Sequence, residues 1–173
     1  MENNQSLNFI FTILISFELL IVAYLDIKTK KIKNYWSVVN TLLAAILITV
    51  NSTFSLEIFK LPLIILVVGF MLFAIKLMGA GDVKFLTTMS LFIPIMHQNI
   101  FVQSFLVSLI LYSIILFFIK LFIYQKDFKL YWKNHQLLMG VLFLIKKKEA
   151  FAPCIFLAWI IFLIQLGGMN VFN

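Results

Sequence analysis

The 173-residue chain is 63% hydrophobic and only 12% charged, with a mean hydropathy of +1.07. A water-soluble domain of this size has too little interior to hide that much apolar surface, so lipid is the solvent the composition fits. All fourteen basic residues are lysine and the net charge is +7, a balance that membrane topology explains better than nucleic-acid binding does.

Apolar runs of about 17–25 residues cross a bilayer. The first expected span covers residues 8–25. The residues before it carry no positive charge, and it leads into Tyr24-Leu25-Asp26 instead of a small-residue cleavage site, so a retained span is expected and not a removable signal peptide. The second covers 35–50, with Tyr35 and Trp36 as interfacial anchors. The third covers 61–78, with Pro62 near its start, where proline costs least. The fourth, 83–96, is short and interrupted by Pro94. The fifth covers 101–123. Within 135–145, the apolar run 137–145 is too short to span and reads as an interfacial or re-entrant helix between lysine clusters. The sixth span, 151–166, is closed by Gly167-Gly168.

Lysine placement fits this alternation. Six alternating spans put thirteen of the fourteen lysines on one side, with Lys60 alone on the other. The positive-inside rule makes the lysine-rich side cytosolic and places both termini outside. Removing the short fourth span would break the pattern. The expected fold is therefore all-α: a polytopic bundle of about six transmembrane helices, one integral-membrane domain over residues 1–173.

Cys154 is the sole cysteine, so the chain has neither an intrachain disulfide nor a CxxC pair for zinc. It reads as a packing residue, and no cofactor or metal is expected.

The seven acids can be weighed one at a time. Glu2, Glu57, Asp127 and Glu149 lie in polar segments and are expected to be solvated, the last two among lysines, where weak surface pairing is the plain explanation. Asp26 ends the first span just before the lysine-rich loop. On its own it reads equally as a boundary residue facing water or pairing with Lys28 or Lys30. Asp82 follows Gly79-Ala80-Gly81, whose glycines allow close backbone approach. An ordinary helix junction with Asp82 as N-cap is its plain alternative. Two carboxylates at one depth make a stronger signal: brought together, one keeps its proton and the pair suits acid/base chemistry. Glu18 lies about 12 Å deeper and about 80° round the helix from Asp26, and a hydrogen bond to a neighbouring helix is its expected role.

Asp26, the basic stretch, Ile32-Lys33-Asn34 and then Gly79-Ala80-Gly81-Asp82-Val83-Lys84 together resemble the type IV prepilin peptidase family. The proline-containing segment from Ala152-Pro153 to Leu157-Ala158 resembles the start of that family's last helix. The resemblance implies a GxGD membrane aspartic protease with Asp26 and Asp82 catalytic and with Gly79, Gly81 and Lys84 supporting the loop. It implies cleavage of a short basic leader from pilin-like or pseudopilin-like precursors at the cytosolic face of the plasma membrane. Pilus or secretion assembly machinery would be the partner, and no nucleic acid. Lys33 departs from the family's usual proline. The zinc-binding cysteine pairs of larger members, which carry an N-methyltransferase region, are absent, so the likeness is to short, peptidase-only members.

A presenilin-like GxGD protease is a neighbouring reading that fits the context after Asp26 less well. From another class, a small proton-coupled carrier would use Glu18, Asp26 and Asp82 as a relay, but the paired repeats common in carriers are not visible. An inactive assembly scaffold is a third reading, and the intact acids speak against it.

Overall fold

The computed structural model describes residues 2–50, 55–74, 78–125, 129, 139 and 149–167, with side chains from Phe9 on. Among the described residues there are six α-helices and no strand. They are α1 (Glu2–Thr29), α2 (Asn34–Val50), α3 (Lys60–Ala74), α4 (Ala80–Met89), α5 (Gln98–Ile123) and α6 (Ala152–Gln165). Of the expected interfacial segment 135–145, only Met139 is described.

Among the described residues, three helical stretches are long and apolar enough to cross a membrane: Phe9–Thr29, Leu56–Ala74 and Ile95–Ile123. The second and third each join a 3-10 turn to the helix that follows. α2 and α6 are apolar but shorter. α4 departs most from expectation. It has ten residues, so it is about 15 Å long, half the thickness of a bilayer's hydrocarbon. It stops at Met89, and the chain continues through 3-10 turns at Ser90–Phe92 and Ile95–His97 on either side of Pro94. The cause is local: Pro94 disfavours helical geometry in the residue before it, and Ile93 is extended at φ −87°, ψ 115°.

Helix packing falls into two groups. α6 packs against both α1 and α5, while α4 packs against both α2 and α3. α6 is the centre of its group because it is apolar on nearly every side: Cys154, Ile155, Ala158, Trp159 and Phe162 are all fully buried. Cys154 thus packs as its sequence context suggests. On α1, Ile15, Glu18, Leu19, Val22 and Asp26 form a buried stripe at helical spacing.

Lipid offers little hydrophobic reason for helices to associate, so specific contacts matter more. Trp159 Nε1 donates to Ser16 Oγ at 2.8 Å, tying α6 to α1, and Ser16 Oγ donates in turn to the Thr12 carbonyl. Ser104 Oγ donates to Gln165 Oε1 at 2.7 Å and Phe101 meets Phe162 edge-on, tying α5 to α6. The outer faces, with Phe17, Leu63, Phe70, Phe118 and Phe122 exposed, suit contact with acyl chains.

Candidate active site

Asp26 lies one turn before the end of α1 and is only 2% exposed. It is not the water-facing boundary residue that its position alone allowed. Its Oδ2 accepts the backbone N–H of Phe151 at 2.7 Å and of Ala152 at 2.8 Å. The first N–H groups of a helix have no partner within it, and α6 begins with Phe151 as N-cap and Ala152 as its first residue. Pro153 has no N–H to satisfy, and the Cys154 N–H turns back to the Phe151 carbonyl. The two donors left over are the ones that Asp26 receives.

The segment entering α6 is held from α5 as well. Tyr112 Oη donates to the Ala150 carbonyl at 2.7 Å, and Lys120 Nζ pairs with Glu149 Oε1 at 2.9 Å. Glu149 thus pairs with a lysine as expected, but the partner comes from another helix and is largely buried, so the pair is not a surface one. Asp127, the other acid expected among lysines, lies outside the described residues.

Asp82 caps its own helix, but not as the N-cap residue. Gly79 is the N-cap and Asp82 stands three residues on, where its Oδ2 accepts the Gly79 N–H at 3.0 Å. α4 starts earlier than expected because the glycine-bracketed turn winds directly into helix. Both glycines are needed for space. A Cβ on Gly79 would lie 2.7 Å from Asp82 Oδ2, and one on Gly81 would lie 2.7 Å from the Ile32 carbonyl oxygen. The second contact brings the first turn of α4 against the connection that leaves α1 just beyond Asp26.

Both acids therefore serve helix N-termini, Asp82 on its own helix and Asp26 on a distant one. They sit in different helix groups, and the Ile32–Gly81 contact joins those groups close to both. Asp26 accepts from the N–H groups of Phe151 and Ala152, and Asp82 accepts from that of Gly79. Lys84 is exposed on α4 and lines an open groove of about 480 Å³ between α2 and α4, with Ser37, Thr41, Thr87 and Thr88. Glu18 meets Asn40 of α2, as a bond to a neighbouring helix was expected. Among the described residues, no group of three or more histidine, cysteine or acidic side chains is placed to hold a metal ion.

A family model described as the type IV leader peptidase family matches residues 13–164, a stretch that contains both acids, the glycine turn and most of α6. The chain belongs to the type IV leader peptidase family. No curated protein and no solved structure matches it. Membership in the leader peptidase family implies a membrane-associated protease that processes prepilin-like substrates, and the apolar helices fit that setting. Lys33, which stands where the resemblance implies a proline, lies in the connection between α1 and α2. Its carbonyl accepts the Trp36 N–H at 3.2 Å as α2 opens, a bond that asks nothing of the Lys33 nitrogen.

Two relationships at the site escaped the sequence. The donors to Asp26 lie at the far end of the chain, and Pro153 near the start of an apolar run was the one trace of a helix N-terminus there. The Ile32 carbonyl against Gly81 left no trace beyond the glycine itself.

Proposed function

We propose that this family member is an aspartic endopeptidase with Asp26 and Asp82 as its catalytic pair. The observation that carries the reading is the family match, which spans both acids and the turn from Gly79 to Asp82. The burial of Asp26 and the contact of Gly81 with the connection beyond it support the same reading.

In the reaction, the ionised carboxylate takes a proton from water, whose oxygen attacks the carbonyl carbon of the scissile peptide. The protonated partner gives its proton to the carbonyl oxygen. Collapse of the tetrahedral adduct breaks the C–N bond. The first acid returns its proton to the leaving nitrogen, and the second recovers one from a hydroxyl of the adduct. Gly79 and Gly81 keep the loop close, and Lys84 borders it.

The substrate is a pilin-like or pseudopilin-like precursor with a short basic leader and an apolar helix after the cut. That helix enters laterally from lipid while the leader stays cytosolic. Cleavage occurs at the cytosolic interface of the plasma membrane, with both enzyme termini outside and pilus or secretion assembly machinery as partner. The lysines of the cytosolic side engage anionic headgroups, which softens their repulsion of a basic leader. No cofactor and no N-methyltransferase step are part of this proposal.

The test is co-expression with candidate prepilins and mass measurement of the product's N-terminus. Asp26→Asn and Asp82→Asn should each abolish processing while membrane insertion stays intact, and Asp127→Asn should be silent. Cleavage retained by either of the first two variants would end the reading.

A further inference from the structure

We infer that Glu18 and Asn40 are positioning residues: their buried pairing is the joint that sets how the helix group carrying Asp26 meets the group carrying Asp82. The inference rests on the peptidase reading above for its consequence in catalysis, but not for its geometry.

Glu18 lies on α1 and Asn40 on α2, so the pair bridges the two groups at a level deeper than Asp26. Glu18 is 6% exposed and Asn40 1%. Turned so that its nitrogen faces the carboxylate, the Asn40 amide lies 2.9 and 3.0 Å from the two Glu18 oxygens. The assignment follows from chemistry, because an amide oxygen facing two carboxylate oxygens would leave three acceptors without a donor. An asparagine also serves either state of its partner. It donates through Nδ2 to an ionised Glu18, or, with the amide reversed, accepts through Oδ1 from a protonated one. The joint is therefore held whatever the proton does.

The need for such a joint follows from the solvent. Apolar helix faces in lipid can slide and rotate at small cost, since lipid tails satisfy them equally well. A buried polar pair has one good geometry and fixes register where apolar packing does not. The Ile32–Gly81 contact alone would act as a pivot. A second fixed point some distance along α1 removes that freedom and holds the two acids in one relation.

The experiment uses the full chain in liposomes, in a Cys154→Ser background, with spin labels at Tyr24→Cys on α1 and Phe70→Cys on α3. Both sites are exposed to lipid. Wild type, Glu18→Gln, and the double variant Glu18→Leu/Asn40→Leu are compared for inter-label distance, thermal stability, kcat and KM. The double variant should be at least as heat-stable as wild type, because it replaces a polar pair with apolar volume. Its distance distribution should broaden, and kcat should fall about 10- to 100-fold with KM within about twofold. Glu18→Gln, which can still pair with Asn40, should keep both the narrow distribution and near-normal kcat.

A double variant with unchanged distances and wild-type kcat overturns the proposal. So does a Glu18→Gln enzyme that loses activity with distances intact, since that assigns Glu18 a proton-transfer role. Should the double variant fail to accumulate, Asn40→Ala should show the same broadened distances and fallen kcat, with a loss of heat stability because Glu18 keeps no amide partner there. If wild type cleaves no precursor, the peptidase reading falls, and the distance distributions still decide the joint.

Discussion

Asp26 Oδ2 accepts the N–H of Phe151 across 125 residues of sequence, at 2.7 Å. With the companion bond from Ala152, this makes the end of α1 the cap of α6. One side chain thus has two duties, holding a helix terminus and standing as a candidate catalytic acid, and substitutions can separate them.

Asp26→Asn keeps an oxygen able to accept both N–H groups, whereas Asp26→Ala takes that acceptor from one buried and one part-buried donor. The alanine variant should lose about 2–4 kcal/mol of stability and the asparagine variant much less. Thermal unfolding in detergent checks this. Equal losses would mean that the cap carries no weight.

The two site glycines should respond differently. At Gly81 the new methyl would meet backbone, the Ile32 carbonyl oxygen at 2.7 Å, which cannot swing aside. Gly81→Ala should therefore destabilise by about 1–3 kcal/mol and separate the helix groups. At Gly79 the methyl would meet Asp82 Oδ2, a side-chain end that can shift at the expense of its bond to the Gly79 N–H. Gly79→Ala should keep most of its stability and lose processing, because the carboxylate is re-aimed. Melting curves and precursor cleavage, measured side by side, distinguish the two.

Tyr112 reaches Asp26 indirectly, through the Ala150 carbonyl that it holds at the entrance to α6. Tyr112→Phe removes that one bond and should cost about 1 kcal/mol. Hydrogen exchange at the Phe151 and Ala152 amides should rise in the variant. Unchanged exchange there would show that Asp26 alone fixes the terminus.

Ser16 and Trp159 give a test of the α1–α6 seam. Their hydrogen bond at 2.8 Å is directional, so Ser16→Ala and Trp159→Phe should show coupled losses of stability. A double-mutant cycle should return about 0.6 kcal/mol of interaction, in the range found for such bonds between membrane helices. Strict additivity would remove this bond from the account of the fold.

Some of this molecule can be read directly from its residues. The helices follow from long apolar runs, and the glycine turn carrying Asp82 is a contiguous motif. Glu18 was identified as a helix-bridging acid from its depth alone. Other features depend on partners that no local pattern announces. Asn40 is one of several polar residues in a mainly apolar helix, which gives no direction, and α1 supplies its partner. The donors to Asp26 are backbone groups, and every residue except proline has one. The fourth span was drawn through Pro94, although proline acts on the residue before it, and the helix had already ended at Met89. Glu149 was read from its sequence neighbours, and tertiary packing gave it Lys120 instead.

The order of helices along the chain has a consequence for how the protein is made. α2, α3 and α4 are consecutive, so their packing can form as soon as they leave the ribosome and enter the bilayer. α1 precedes them yet packs against α6, which follows them all. Until Phe151 and Ala152 arrive, Asp26 lacks the two backbone donors that hold it in the finished fold, whereas the Gly79–Asp82 turn already has its own. A nascent chain stalled before Phe151 should therefore lack the cap at Asp26 and, if the proposed catalytic pair is right, be inert toward precursors.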